Sequence, residues 1–140
     1  MECPECRRLE NENRILRQRL QEINERNAPF AFDPFVFWWH DLQLAVHFLA
    51  REKGWWYEER NDGEVIALMH SELSEALEGL REGNPKDDKI PEFSSLEAEL
   101  ADVVIRIMDY AGARDLRVGQ AILAKHKYNA TRQHRHGKSF

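Results

Sequence analysis

The chain has 140 residues, 42% of them hydrophobic and 32% charged, with a formal net charge of −5. That balance excludes disorder throughout, and the acidic charge speaks against a dedicated nucleic-acid binder. Cys3 and Cys6 are the only cysteines, too few and too close together for a disulfide scaffold. No apolar run reaches the roughly 18–20 residues of a membrane span, and the first residues lack the apolar core of a signal peptide. A cytoplasmic protein without membrane contact is the expectation.

In chain order, residues 1–27 read as a helical extension, 28–34 as a linker and 35–140 as the main domain. Cys6 to Glu25 is polar and helix-prone. With Leu9, Leu16 and Ile23 at heptad position d, the a positions are Cys6, Asn13 and Leu20. An Asn among aliphatic a residues is a register signal in a coiled coil, and Glu12 and Arg17 fall where g and e charges pair across a parallel dimer. An amphipathic helix packed on its own domain fits equally well. Cys3 and Cys6 would make half of a zinc site, which two copies meeting at the end of a parallel coil would complete with four thiolates for Zn²⁺; an unliganded thiol pair in a reducing cytoplasm is the preferred reading.

Asn27 to Pro34 is the linker. Asp33-Pro34 reads as N-cap and first helical residue of a helix over 35–53, with Phe35, Trp38 or Trp39, Leu42, Val46 and Leu49 along one face and Gly54 at its end. Trp55 to Arg60 is an aromatic loop. Asn61 or Asp62 caps the next helix, which runs to about Glu82 and is broken by Gly83, Asn84 and Pro85. Lys86 to Phe93 is a polar connector. Ser94 with Glu97 matches a capping box for a third helix from Ser95 to about Ala111. Gly112 punctuates, Asp115 is a candidate N-cap, and a fourth helix follows from Leu116 to about Gln133. No stretch alternates like a strand. The fold expected is all-α: a four-helix bundle with a helical or coiled-coil N-terminal extension.

The second and third helices each carry an acidic pair at a spacing of three: Glu72 with Glu75, and Glu99 with Asp102. That spacing puts both side chains on nearly one helix face. Each pair borders an apolar stripe, Val65, Met69, Leu73, Ala76 and Leu80 on one helix and Leu96, Leu100, Val103, Ile107 and Tyr110 on the other. One such pair is ordinary for a solvated helix surface. Two pairs on facing helices repel, and a hard cation bound by oxygen ligands relieves this. A di-iron bundle would need Glu-x-x-His on two helices, which His70 does not supply. An oxygen-only Mg²⁺ site, with Mn²⁺ as substitute, is the better match.

From about His40 onward the chain resembles the all-α nucleoside triphosphate pyrophosphatases: MazG, the dimeric dUTPases, the dCTP pyrophosphatases and phosphoribosyl-ATP pyrophosphatase. The resemblance rests on Glu72-Leu-Ser-Glu75 followed by Glu99-Leu-Ala-Asp102, on the aromatic run Gly54-Trp55-Trp56-Tyr57 before the first pair, and on the ending KHKYNATRQHRHGKSF. It is strongest with the small single-domain MazG-like proteins, and implies a four-helix MazG-like bundle.

The resemblance also implies an activity: hydrolysis of a (d)NTP between the α- and β-phosphates to the monophosphate and pyrophosphate, in nucleotide-pool housekeeping. Glu72, Glu75, Glu99 and Asp102 would hold Mg²⁺, and Glu72 or Glu75 would orient or deprotonate the attacking water. Lys125, Asn129 and Arg132, which share a helix face, would grip the phosphates with His136 and Lys138. His47 and Trp56 match the spacing of a His and Trp that shape the nucleotide pocket in dCTP-type members. Trp55, Arg60 and Asn61 would complete it, with one of the two tryptophans in the core. A homodimer or homotetramer is implied, with no nucleic-acid partner. Two readings of other classes stand beside the enzyme: a non-catalytic, metal-binding helical dimerisation scaffold, and a regulatory nucleic-acid binder using the basic tail.

Overall fold

The computed structural model describes residues 33–133, together with Gln18. By compactness the chain divides into Met1–Phe37 and Trp38–Phe140. The heptad segment, Cys3 and Cys6, and His136 and Lys138 lie outside the described residues.

The described residues form four α-helices: α1 (Pro34–Glu52), α2 (Asp62–Arg81), α3 (Ser95–Ala113) and α4 (Val118–Ala130). The protein is all-α, and among the described residues the only β feature is one isolated bridge between Lys86 and Ser94. Local chemistry sets the helix starts. Asp33 Oδ1 accepts the Phe35 N–H at 2.9 Å, so Asp33 caps α1 with Pro34 at its first position. Asn61 caps α2 by accepting the Glu64 N–H at 3.2 Å. Ser94 and Glu97 form the reciprocal capping box of α3. Gly83 and Asn84, both at positive φ, end α2.

The most extensive helix pairing is between α2 and α3, an antiparallel hairpin pinned at both ends. At one end Asn84 Oδ1 accepts the Leu96 N–H at 3.0 Å and the Pro85 carbonyl accepts the Ser95 N–H at 2.8 Å. At the other, Arg114 bridges Asp62 at 2.8 Å and the Arg60 carbonyl at 3.0 Å. These ties fix the register that brings the acidic side chains together.

The buried faces follow the expected stripes only in part: Val65 and Ala76 are buried as expected, and several of the leucines are not. On α2 the buried residues are Val65, Glu72, Ala76 and Gly79, while Leu73 and Leu80 stay 46% and 50% exposed. On α3 they are Ala98, Met108 and Ala111, with Leu100 exposed. On α1 Gln43 is buried and donated to by Trp39 Nε1 at 3.2 Å, whereas Leu42 and Leu49 are exposed. The physical reason is that small residues set the closest helix approaches, and backbone proximity there turns the larger leucines outward. At Gly112 an added Cβ would lie 2.7 Å from His47 Cβ, and at Gly119 one would lie 2.9 Å from Trp39 Cγ. Gly112 is therefore a crossing point of α1 and α3 rather than a helix end, and α3 continues to Ala113. α4 starts at Val118 after Arg117, which makes no side-chain cap; Asp115 instead occupies the preceding turn at φ 50°.

Candidate active site

The α2–α3 register places Glu72, in the middle of α2, against Glu99 and Arg106, which lie two turns apart on one face of α3. Glu72, Glu75 and Glu99 each offer a carboxylate oxygen within 4.8 Å of the others. Glu72 is buried at 5% exposure, Glu99 is half-buried and Glu75 is exposed. The group therefore runs from the helix seam out to solvent. Burial pushes the Glu99 carboxyl above its ordinary value of 4.5, helped by the charge of Glu75, a hydrogen bond with Glu72, and the charges of Glu72 and Asp102. Asp102 stands outside the 4.8 Å group but near enough to act on Glu99.

The donor set fits a hard divalent cation. It consists of carboxylates alone, and it converges. Arg106 supplies the rest of the neutralisation: its guanidinium Nε and Nη2 both bond Glu72 Oε1.

Beside this group lies a cleft of ≈ 330 Å³ between α1, the aromatic loop and α3. Its apolar wall is Val46, Leu49, Ala50, Trp55 and Ile105; its polar lining is Lys53, Arg60, Asp102, Arg106 and Asp109. Asp102 and Arg106 thus connect the cleft to the carboxylate group. The size lies at the lower end of ordinary small-ligand sites.

The cleft is braced by Asp109. Its Oδ1 accepts the Trp56 indole N–H at 2.8 Å and pairs with His47 Nδ1 at 2.8 Å; its Oδ2 lies 3.1 Å from the same indole nitrogen. The His47 and Trp56 rings meet edge to face at 5.5 Å. Trp56 is therefore the tryptophan built into the scaffold, while Trp55 is 55% exposed on the cleft wall. The Arg60 guanidinium sits 5.5 Å from the Trp55 ring centre and 5.6 Å from that of Trp56, a cation–π position against both.

The structure thus puts Trp55, Arg60 and Asp102 in the cleft lining, ties His47 and Trp56 to that lining through Asp109, and sets Glu72, Glu75 and Glu99 in a group that Arg106 joins to the cleft. Asn61 is used differently: its side chain caps α2. Lys125 and Asn129 line a separate shallow depression on α4 with Val118, Ala121, Ile122 and His126. Lys125 and Arg132 both stand over the Tyr128 ring, at 5.4 and 5.9 Å. Within one chain this cationic face is not part of the cleft. Lys53 and Arg106 are cleft residues that spacing did not single out as ligands; Asp109, expected either to line the pocket or only to continue the helix, lines the cleft. The signal for Asp109 was its place two turns past Asp102, on the same side of α3; nothing in the sequence marks Lys53. Comparison with protein-family models, curated proteins and solved structures gives no match for the chain. Among the described residues no helix is long and apolar enough to cross a membrane.

Proposed function

We propose that the protein is a Mg²⁺-dependent nucleotide pyrophosphohydrolase that converts a (d)NTP and water to the (d)NMP and pyrophosphate. The observation that carries this is the junction of two unlike surfaces: converging carboxylates of Glu72, Glu75 and Glu99, and an aromatic, cation-lined cleft beginning at Asp102 and Arg106. A flat apolar wall suits a base, and cations beside it suit phosphate oxygens. The resemblance to the MazG-like pyrophosphatases agrees with both halves.

In this reading Trp55 stacks on the base, and Arg60, steadied over both indoles, takes a phosphate in a forked contact. Asp109 keeps His47 and Trp56 in place behind the base. Glu72, Glu75 and Glu99 hold Mg²⁺, with Asp102 joining from the cleft side. When bound, the cation offsets phosphate charge and makes a nearby water more acidic. Glu75, the exposed member of the group, would orient that water and receive its proton. The water oxygen joins the α-phosphorus as the bond to the bridging oxygen breaks, and pyrophosphate leaves. The outward-facing Leu73, Leu77, Leu80 and Leu100 support a homodimer or homotetramer in which these side chains are covered.

The test is a panel of canonical and modified (d)NTPs with Mg²⁺, scored separately for pyrophosphate and orthophosphate. Pyrophosphate release, lost in Glu75→Gln with an unchanged melting temperature, is the expected result. Orthophosphate release, or no turnover of any nucleotide by the wild type, would refute the assignment. Retained Mg²⁺ binding without turnover would favour the scaffold reading.

A further inference from the structure

Glu72 is the only acidic residue fully buried among those described, and its charge is met by Arg106 from across the helix seam. Arg106 also lines the cleft, together with Lys53 and Arg60. It therefore touches both halves of the site, the carboxylates and the ligand space. Two N–H groups of Arg106 converge on Glu72 Oε1, the number of lone pairs that one carboxylate oxygen carries. A divalent cation entering among Glu72, Glu75 and Glu99 meets this guanidinium at close range. Two positive groups sharing one buried carboxylate repel strongly. One of them has to move, and Arg106, on a long side chain that is 31% exposed, is the one with somewhere to go.

We propose that Arg106 is an internal counter-ion of the empty carboxylate group, displaced from Glu72 by the divalent cation and thereby freed to bind polyphosphate in the cleft. This rests on the pyrophosphohydrolase reading and adds an order to it: cation first, nucleotide second. Free of Glu72, the guanidinium presents a fork matched to two phosphate oxygens. The coupling is reciprocal, so polyphosphate also tightens the cation. Arg106 is a positioning residue in the cation-free protein and a ligand contact in the loaded one.

The test separates these roles by sign. Mn²⁺ alone is titrated into wild type and Arg106→Gln by calorimetry, and tripolyphosphate is then titrated in saturating Mg²⁺. The variant is expected to bind Mn²⁺ on the order of ten-fold more tightly, as removal of a cation within a few ångströms of a carboxylate predicts, and to bind tripolyphosphate several-fold more weakly. A purely structural Arg106 would weaken both, and that result, or unchanged Mn²⁺ affinity, overturns the proposal while leaving the metal site standing. No ion binding by either protein overturns both. Should Arg106→Gln fail to fold, the wild type answers alone. The Arg106 Nε–H resonance is expected to shift in step with Mg²⁺ binding, and a resonance unmoved at saturation overturns the proposal.

Discussion

Asp109 gives the sharpest test of how the cleft is held. Asp109→Ala removes the acceptor of two contacts at 2.8 Å, from Trp56 Nε1 and with His47 Nδ1, and of a third at 3.1 Å. Hydrogen bonds to a charged group contribute about 1.5–3 kcal/mol each. The His47 and Asp109 side chains are 16% and 15% exposed, so water replaces part of what is lost. The expected cost is about 2–4 kcal/mol in urea unfolding followed by tryptophan fluorescence. Asp109→Asn behaves differently, because both 2.8 Å contacts go to the same oxygen. An Asn carbonyl placed there keeps both and gives up only the charge and the contact at Oδ2. Its expected cost is about 1 kcal/mol. An Ala variant costing less than about 1 kcal/mol, or an Asn variant costing as much as the Ala, would refute the bracing role.

Gly112→Ala isolates the α1–α3 crossing. Alanine is the better helix former by about 1 kcal/mol, yet its methyl would lie 2.7 Å from His47 Cβ and 3.0 Å from Cγ. A backbone-proximal Cβ cannot swing away, so the melting temperature should fall; a rise would show that the crossing is looser than described. The raised pKa of Glu99 sets a pH dependence. The folded state binds this proton more tightly than the unfolded chain, so its contribution to stability is present at low pH. That contribution is lost as pH rises from 4.5 through the raised folded value. In chelator, the Glu99 part of the melting-temperature profile should fall over that window. Glu99→Gln should flatten it, and Mg²⁺ should restore stability at the high-pH end. A Gln profile identical to wild type would sink this assignment.

Features written in short windows were legible in the sequence. Asp33-Pro34, Asn61 and the Ser94–Glu97 box act within one helical turn, and the structure uses each as expected. The acidic spacing belongs to this class too: each pair borders an apolar stripe, and the structure buries Glu72 and half-buries Glu99. The rest depended on partners far away in the chain. Arg106 meets Glu72 across 34 residues, and Asp109 meets Trp56 and His47 across 53 and 62. No local pattern encodes those separations; the hairpin register does. The apolar stripes misled for a related reason. Counting leucines finds the largest side chains, but Gly79, Ala98 and Gly112 lie where the helices approach most closely, and of these none was on an expected stripe. Asp115 illustrates the limit for caps: a good capping residue is passed over when the turn before α4 needs a positive φ.

The seam between α2 and α3 also shows why stability alone does not account for its charges. Buried ion pairs lose solvation that their mutual attraction offsets only in part, and an apolar pair of similar volume commonly does as well or better. Glu72 and Arg106 sit among buried valine, alanine, glycine and methionine, and Glu99 adds a carboxyl whose pKa is raised by burial and by the neighbouring carboxylates. Removing one partner should be costly, since it strands the other: about 3–5 kcal/mol for Arg106→Leu with Glu72 left in place. Removing both should not. The double variant Glu72→Leu/Arg106→Leu is expected to be as stable as wild type or more so, by about 1–4 kcal/mol in urea unfolding, while losing Mn²⁺ binding. A double variant as unstable as the single one would mean that the pair serves the fold. Stability kept and ion lost would mean that the charge is there for the cation.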